Sequence, residues 1–207
     1  MINLNESEVI QILETIASKQ KHQEKSLFFK IQYAYARRGV EIASLKVSDI
    51  DFTKEKAITF AIAKKRDKKV TTTLTIDANP TSFISKSNLV KELKAFIKSK
   101  GLSADDYLFL DHEKISTEGL EKVRENYLAN LRRFLKRDTC KNAILLATNK
   151  DIVLDQHDFR RMRGQHLYLA GVGLETLRQL YQHEDVKQTS TYLQVDDLIV
   201  SNVLANY

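Results

Sequence analysis

His157-Asp158-Phe159-Arg160-Arg161-Met162-Arg163-Gly164-Gln165-His166-Leu167-Tyr168-Leu169-Ala170 opens a stretch that runs through Gly171-Val172-Gly173 and His183 to Tyr192-Leu193. Its apolar spacing and turn residues predict three short helices: Asp158 to Ala170, Leu174 to Tyr181 and Val186 to Leu193. His157 and Arg160 stand three residues apart, the spacing of neighbours on one helical face. His183 and Tyr192 follow in order, nine residues apart. An imidazole, a guanidinium, a second imidazole and a phenol are thus delivered from consecutive short elements.

Working outward, Val195 to Leu204 predicts a final short helix. Glu118 to Arg137 is strongly amphipathic, with Leu120, Val123, Tyr127, Leu131 and Phe134 on one side and Arg124, Arg132, Arg133 and Lys136 on the rest. Leu89 to Ile97 predicts a helix closed by Gly101, and Tyr107 to Leu110 a short apolar segment. Ala57 to Ala63 alternates, with Ile58, Phe60 and Ile62 on one face, and Val70 to Ile76 is rich in threonine and β-branched residues. The lysine-rich turn between them makes an antiparallel hairpin. Near the start, Asn5 or Ser7 caps a helix carrying Val9, Ile10, Leu13 and Ile16. Helices from about Lys25 to Ala36 and from Val40 to Leu45 follow. With one proline, Pro80, and six glycines, the fold class is α+β, mainly α, with one small antiparallel sheet.

The 207 residues suit one domain with a sizeable core. No apolar run reaches the roughly 18 residues of a membrane span, and the opening MINLNESEV is too acidic and polar for a signal peptide. Cys140 is the single cysteine. It sits in a polar stretch, and it leaves no internal disulfide and no cysteine-ligated zinc site. A reducing cytoplasm fits. The formal charge of +6 favours a polyanionic partner. Lys64, Lys65, Arg66, Lys68 and Lys69 share one short turn, and Arg160, Arg161 and Arg163 another segment. No glycine loop suited to phosphates and no carboxylate cluster of the two-metal kind is present.

The other chemistry-bearing stretch is Arg37-Arg38-Gly39-Val40-Glu41-Ile42-Ala43-Ser44-Leu45, followed by Asp49-Ile50-Asp51. Taken with the late residues, it makes the sequence resemble the tyrosine recombinase, or phage integrase, family over nearly its whole length. That family has an early Arg-x-x-Glu box, a lysine in a β-hairpin, a late His-x-x-Arg box, a further histidine and a nucleophilic tyrosine. Here these are matched by Arg38 with Glu41, the Lys64/Lys65 turn, His157 with Arg160, His183, and Tyr192. Two positions depart from the pattern. Gln182 stands where the family commonly has glycine, and Ala36-Arg37 where it often has Gly-Leu.

The resemblance implies a site-specific recombinase that cuts and rejoins double-stranded DNA through a 3′-phosphotyrosine at Tyr192. It implies no cofactor, no metal and no ATP. Arg38 and Arg160 would hold the phosphate with planar, permanently charged forks, and His183 would donate a further hydrogen bond. His157 is the candidate to accept or orient the tyrosine proton. A hairpin lysine would protonate the leaving 5′-oxygen. Lys64 continues the parity of the apolar face, whereas Lys65 lies on the polar one, and Lys65 is preferred. Lys64, Arg66, Lys68, Lys69 and Arg161 are assigned to DNA contact, and His22, His112 and His166 to structure or surface.

Residues 1–193 are read as the catalytic domain and 194–207 as a tail. Val195, Leu198, Ile199, Val203 and Leu204 would give that tail an apolar face, either for docking on a neighbouring protomer or for packing in cis. The resemblance further implies a homo-oligomer, a dimer on one site and a tetramer in synapsis, acting in the cytoplasm on the nucleoid without a membrane. The family's amino-terminal DNA-clamping domain has no counterpart here, as in an excised catalytic domain or a short recombinase of the fimbrial inversion type. Two other readings stay open: a type IB topoisomerase-like enzyme that relaxes DNA, and a non-catalytic DNA-binding regulator of the same fold.

Overall fold

The computed structural model describes residues 4–53, 57–62, 71–75 and 81–206. Helix α1 (Glu6–Ala17) starts at Asn5, whose side chain accepts the Glu8 N–H at 2.9 Å while the Glu8 carboxylate accepts the Asn5 N–H at 2.7 Å. This reciprocal box satisfies two otherwise orphan donors, so the cap is Asn5 and not Ser7. Val9, Ile12, Leu13 and Ile16 form the buried stripe of α1. Helix α2 (Gln23–Tyr35) is the central element, packed by α1 and by later helices, and it is buried nearly all round from Ser26 onward. After a left-handed residue at Ala36 comes the short α3 (Gly39–Ala43).

Three antiparallel strands follow in the order β1 (Ile50–Asp51), β2 (Ala57–Ala61), β3 (Thr71–Thr75). Ile58 pairs with both Ile50 and Leu74, and Phe60 lies opposite Thr72. Ile58, Phe60 and Ile62 are all buried, as the two-residue period of a strand requires. The strand β1 was not anticipated, because two residues are too few to show alternation. Lys64, Lys65, Arg66, Lys68 and Lys69 lie outside the described residues.

Helices α4 (Phe83–Lys86) and α5 (Leu89–Lys100) lead to Gly101, which ends α5 at φ 63°. The helix expected over Glu118 to Arg137 is α7 (Leu120–Leu135), and a further helix, α6 (His112–Glu118), precedes it. Gly119 separates them with φ 85° and ψ 147°, a conformation that breaks a helix and that only glycine adopts without strain. Cys140 has polar neighbours in the sequence, yet its own side chain faces the core. It lies fully buried in α8 (Asp138–Thr148), beside Ala143 and Ile144. Burial pushes its thiol pKa up to about 11, which removes the thiolate a nucleophile needs.

The last four helices are α9 (Gln156–Leu169), α10 (Leu174–Tyr181), α11 (Val186–Leu193) and α12 (Val195–Asn206). They build a second, small core of Ala36, Leu177, Tyr181, Leu193 and Val195, with Leu167, Val172 and Tyr192 packed on it. Helix α9 serves both cores: Phe159 and Met162 belong to the large one, Leu167 to the small one. The first turn of α12 packs in cis through Val195 and Leu198, while Ile199 and Val200 are exposed. Among the described residues no helix is long and apolar enough to cross a membrane.

Lys30 on α2 is fully buried. Its ammonium donates to the Ser87 carbonyl at 2.9 Å and to the Glu92 carboxylate at 2.7 Å, pinning the start of α5 to the central helix. Glu92→Ala leaves that cation buried with one neutral partner and is expected to cost about 2–3 kcal/mol, less than for a fully buried pair because Glu92 is 38% exposed. Lys30→Met removes the charge and keeps the stem, so its cost should be smaller, about 1 kcal/mol. Chemical denaturation of the two variants checks that ranking.

Backbone geometry accounts for the family's glycine at the two positions where this chain departs from the pattern. Ala36 and Gln182 have φ of 51° and 54°, the left-handed region that favours glycine. Gln182→Gly is therefore expected to stabilise the fold by about 0.5–1 kcal/mol. A lower melting temperature in that variant would contradict this account.

Candidate active site

The site is assembled by α9. Asp155 caps this helix by accepting the His157 N–H at 3.2 Å, and Asp158 returns the favour by accepting the Asp155 N–H at 2.6 Å. One turn in, Arg160 is almost wholly buried. Its guanidinium donates to the Tyr181 carbonyl at 2.9 Å and lies 4.7 Å over the Tyr181 ring. The Tyr181 hydroxyl donates back to the Arg160 carbonyl. Each residue thus uses its side chain to bind the other's backbone. Four residues further along α9, Gly164 lets the helices meet: a Cβ there would strike the Tyr181 hydroxyl and the Leu193 side chain. Gln165 then donates to the Leu193 carbonyl at 2.9 Å. Side chains of α9 therefore bind the carbonyl ends of both α10 and α11.

Those two ends place His183 and Tyr192. The His183 ring is buried, with Nδ1 3.1 Å from the Thr189 hydroxyl, which also lies 3.4 Å from the Asp185 carbonyl. The ring stands edge-on to Tyr192 at 5.4 Å between centroids. Two guanidiniums, Arg160 and Arg161, each lie 5.8 Å from the Tyr192 ring centroid. Arg161 also pairs with Asp158 at 3.6 Å. The Tyr192 hydroxyl oxygen is buried and has no hydrogen-bond partner among the described residues. Burial raises its pKa above 10, while Arg160, Arg161 and Arg38 pull the other way.

Arg38 caps α3. Its N–H donates to Glu41 at 3.0 Å, and its guanidinium pairs with the other Glu41 oxygen at 3.2 Å. Arg38 is also close enough to Arg160 to depress its pKa, although burial is the larger cause. Of the residues singled out from sequence, Arg38, Arg160, Arg161, His183 and Tyr192 therefore share one site. His157 lies at the first turn of α9, exposed to solvent, and no hydrogen bond or ring contact joins it to Tyr192 among the described residues. Sequence reasoning passed over Tyr181, Thr189 and Gly164. A tyrosine, a threonine and a glycine at those positions carry no spacing signal, because their partners are up to 29 residues away. Among the described residues, no group of three or more His, Cys, Asp or Glu side chains could hold a metal ion.

The cations around Tyr192 do not offset burial, so the phenol is protonated at neutral pH. An ultraviolet titration of phenolate absorbance, wild type minus Tyr192→Phe, should show this group ionising above pH 10. Ionisation below pH 10 would mean that the arginines outweigh desolvation.

Comparison with known proteins gives the chain a family and a fold. Residues 3–198 match the phage integrase family. A tyrosine recombinase of Pseudothermotoga lettingae is 26% identical over 192 residues, covering 92% of this chain and 55% of that protein. The chain thus spans about half the length of this curated relative. The crystal structure of XerA recombinase superposes with a TM-score of 0.63 at 18% identity, over 93% of this chain and 58% of the other. The post-cleavage complex of XerH with its palindromic difH substrate gives 0.64 at 18%, over 99% and 52%. The catalytic domain of bacteriophage HP1 integrase gives 0.52 at 17%, over 100% and 98%. With its ordered residues gathered around Tyr192 and its family match spanning nearly the whole sequence, the chain belongs to the phage integrase family, the tyrosine recombinases.

Proposed function

We propose that this chain cleaves and rejoins double-stranded DNA by transient esterification of Tyr192, without metal or ATP. The observation that carries the reading is the Tyr192 hydroxyl: buried, without a hydrogen-bond partner among the described residues, and flanked by Arg160, Arg161 and His183. An orphan buried hydroxyl costs about 1–3 kcal/mol. A phosphodiester entering this site would give it a reaction partner and would give the surrounding cations an anion.

In the proposed step the Tyr192 oxygen attacks phosphorus and loses its proton, the bond from phosphorus to the 5′-oxygen breaks, and the 5′-oxygen gains a proton. Arg38 and Arg160 neutralise the charge that builds on the non-bridging oxygens, and His183 adds a hydrogen bond there. The raised pKa of Tyr192 makes a proton acceptor necessary at neutral pH. His157, exposed in the first turn of α9, is assigned that role. Lys65, or its neighbour Lys64, protonates the leaving oxygen. Lys64, Arg66, Lys68, Lys69 and Arg161 contact the DNA backbone. Rejoining reverses the chemistry, because the tyrosine ester conserves the bond energy. The enzyme acts on the nucleoid, as a dimer on each site and a tetramer in synapsis, with the tail beyond Leu198, where Ile199 and Val200 are exposed, reaching a neighbouring protomer.

Trapping the intermediate tests this reading. Incubated with a nicked suicide form of its site, the protein should give a denaturation-resistant adduct whose peptide map ends at Tyr192 and which Tyr192→Phe abolishes. Arg160→Ala should slow adduct formation by about 10²–10³-fold. Salt-dependent binding of the same DNA with no adduct would favour a non-catalytic regulator, and relaxation of supercoils by a monomer without recombinant product would favour a topoisomerase.

A further inference from the structure

Arg37 has no part in the chemistry above, yet it is among the most deeply buried charged side chains of the chain. Its Nε donates to the Tyr35 carbonyl at 3.0 Å, and a terminal guanidinium nitrogen donates to the Leu180 carbonyl. The guanidinium lies 5.9 Å over the ring of Phe60 on β2. Three elements meet on this one group: the end of α2, the sheet and the end of α10. Its charged surroundings are mixed, with Glu41 favouring the cation and Arg38 and Arg160 opposing it.

Burying a guanidinium beside two others is unfavourable, and burial holds its pKa down to about 10. An apolar side chain of similar length would fill the space without that cost. What it could not do is satisfy two carbonyls from different elements, which a forked donor does with fixed angles. The partner on α10 is informative. Leu180 and Tyr181 offer adjacent carbonyls in the last turn of that helix; Arg37 takes the first and Arg160 the second. Two residues later, past the left-handed Gln182, stands His183. The negative end of a helix attracts cations over this last turn.

We propose that Arg37 is a positioning residue. Through the Leu180 carbonyl it fixes where α10 ends, and so where His183 stands relative to Arg160 and Tyr192; through Phe60 it holds that end against β2. The inference rests on the reading of Tyr192 as nucleophile for its effect on rate, but not for its effect on geometry.

The test uses the full chain with Arg37→Met and Arg37→Lys, each checked for folding by thermal melting. Adduct formation with saturating suicide DNA should slow by about 10- to 100-fold, the scale of a misplaced catalytic group, while affinity for the site stays at the wild-type value. Lysine keeps the charge but loses the fork, so it should not restore the rate. In labelled protein without DNA, the His183 ring resonances should shift in both variants while those of His112 stay in place. A folded variant with the wild-type rate and an unmoved His183 resonance overturns the proposal. So does a loss confined to affinity. If neither variant folds, the wild type decides: slowly exchanging Arg37 guanidinium protons with through-space contacts to Phe60 support the assignment, and fast exchange overturns it. A wild type that forms no adduct, with His183 still displaced in the variants, would sink the proposed chemistry and leave the positioning role intact.

Discussion

The arrangement at the carboxy-terminal end depends on one reciprocal contact, that between Arg160 and Tyr181. A buried guanidinium needs acceptors, and the carbonyl at the end of α10 supplies one. A buried phenol needs a partner, and the carbonyl of Arg160 supplies it. Because each side chain satisfies the other's backbone, neither can move without orphaning a polar group in a low-dielectric interior. The contact fixes α10 against α9. The short chain after α10 then carries His183 and Tyr192 to the same place.

Close approach is the second requirement. Gly164 has no side chain where Tyr181 and Leu193 press against α9, and the small core of Ala36, Leu177, Tyr181, Leu193 and Val195 closes over that junction. This core is separate from the larger one around α2, and α9 is the element common to both. One face of α9 is anchored by Phe159 and Met162, while residues on the other carry the site. Such a division lets a rigid scaffold hold groups whose own environment is strained: clustered cations, a phenol with no hydrogen-bond partner among the described residues, and left-handed backbone at Gln182. Strain of this kind persists only where the surroundings over-determine it.

The electrostatics follow from the same geometry. Arg38, Arg160 and Arg161 repel one another, and Glu41 and Asp158 only partly offset them. A concentrated positive field in a partly dry site suits an anion that arrives and becomes more negative. Tyr192 stays protonated in that field because desolvation of a phenolate outweighs the attraction. The resting site is therefore rich in positive charge and holds its phenol in the protonated form.

The long periodic stripes of α1 and α7, the alternation of Ile58, Phe60 and Ile62, and the order Arg38, Arg160, His183, Tyr192 were all legible in the sequence, because each rests on local spacing or on residue type. Where the signal was faint, the reading failed. Strand β1 has two residues, α6 has no buried residue to mark a stripe, and the stripe of Cys140, Ala143 and Ile144 in α8 is interrupted by polar neighbours. Other facts could come only from the tertiary structure. That Arg160 is buried while His157, three residues earlier, faces solvent depends on which face of α9 meets α10. That Ala36 and Gln182 are left-handed is a property of how their helices end. That Tyr181 and Gly164 pack at the site, and that Arg37 reaches the end of α10, depends on partners far along the chain. A sequence determines which groups are available and the local period that presents them; which of them lose water, and against whom, is decided when distant helices pack.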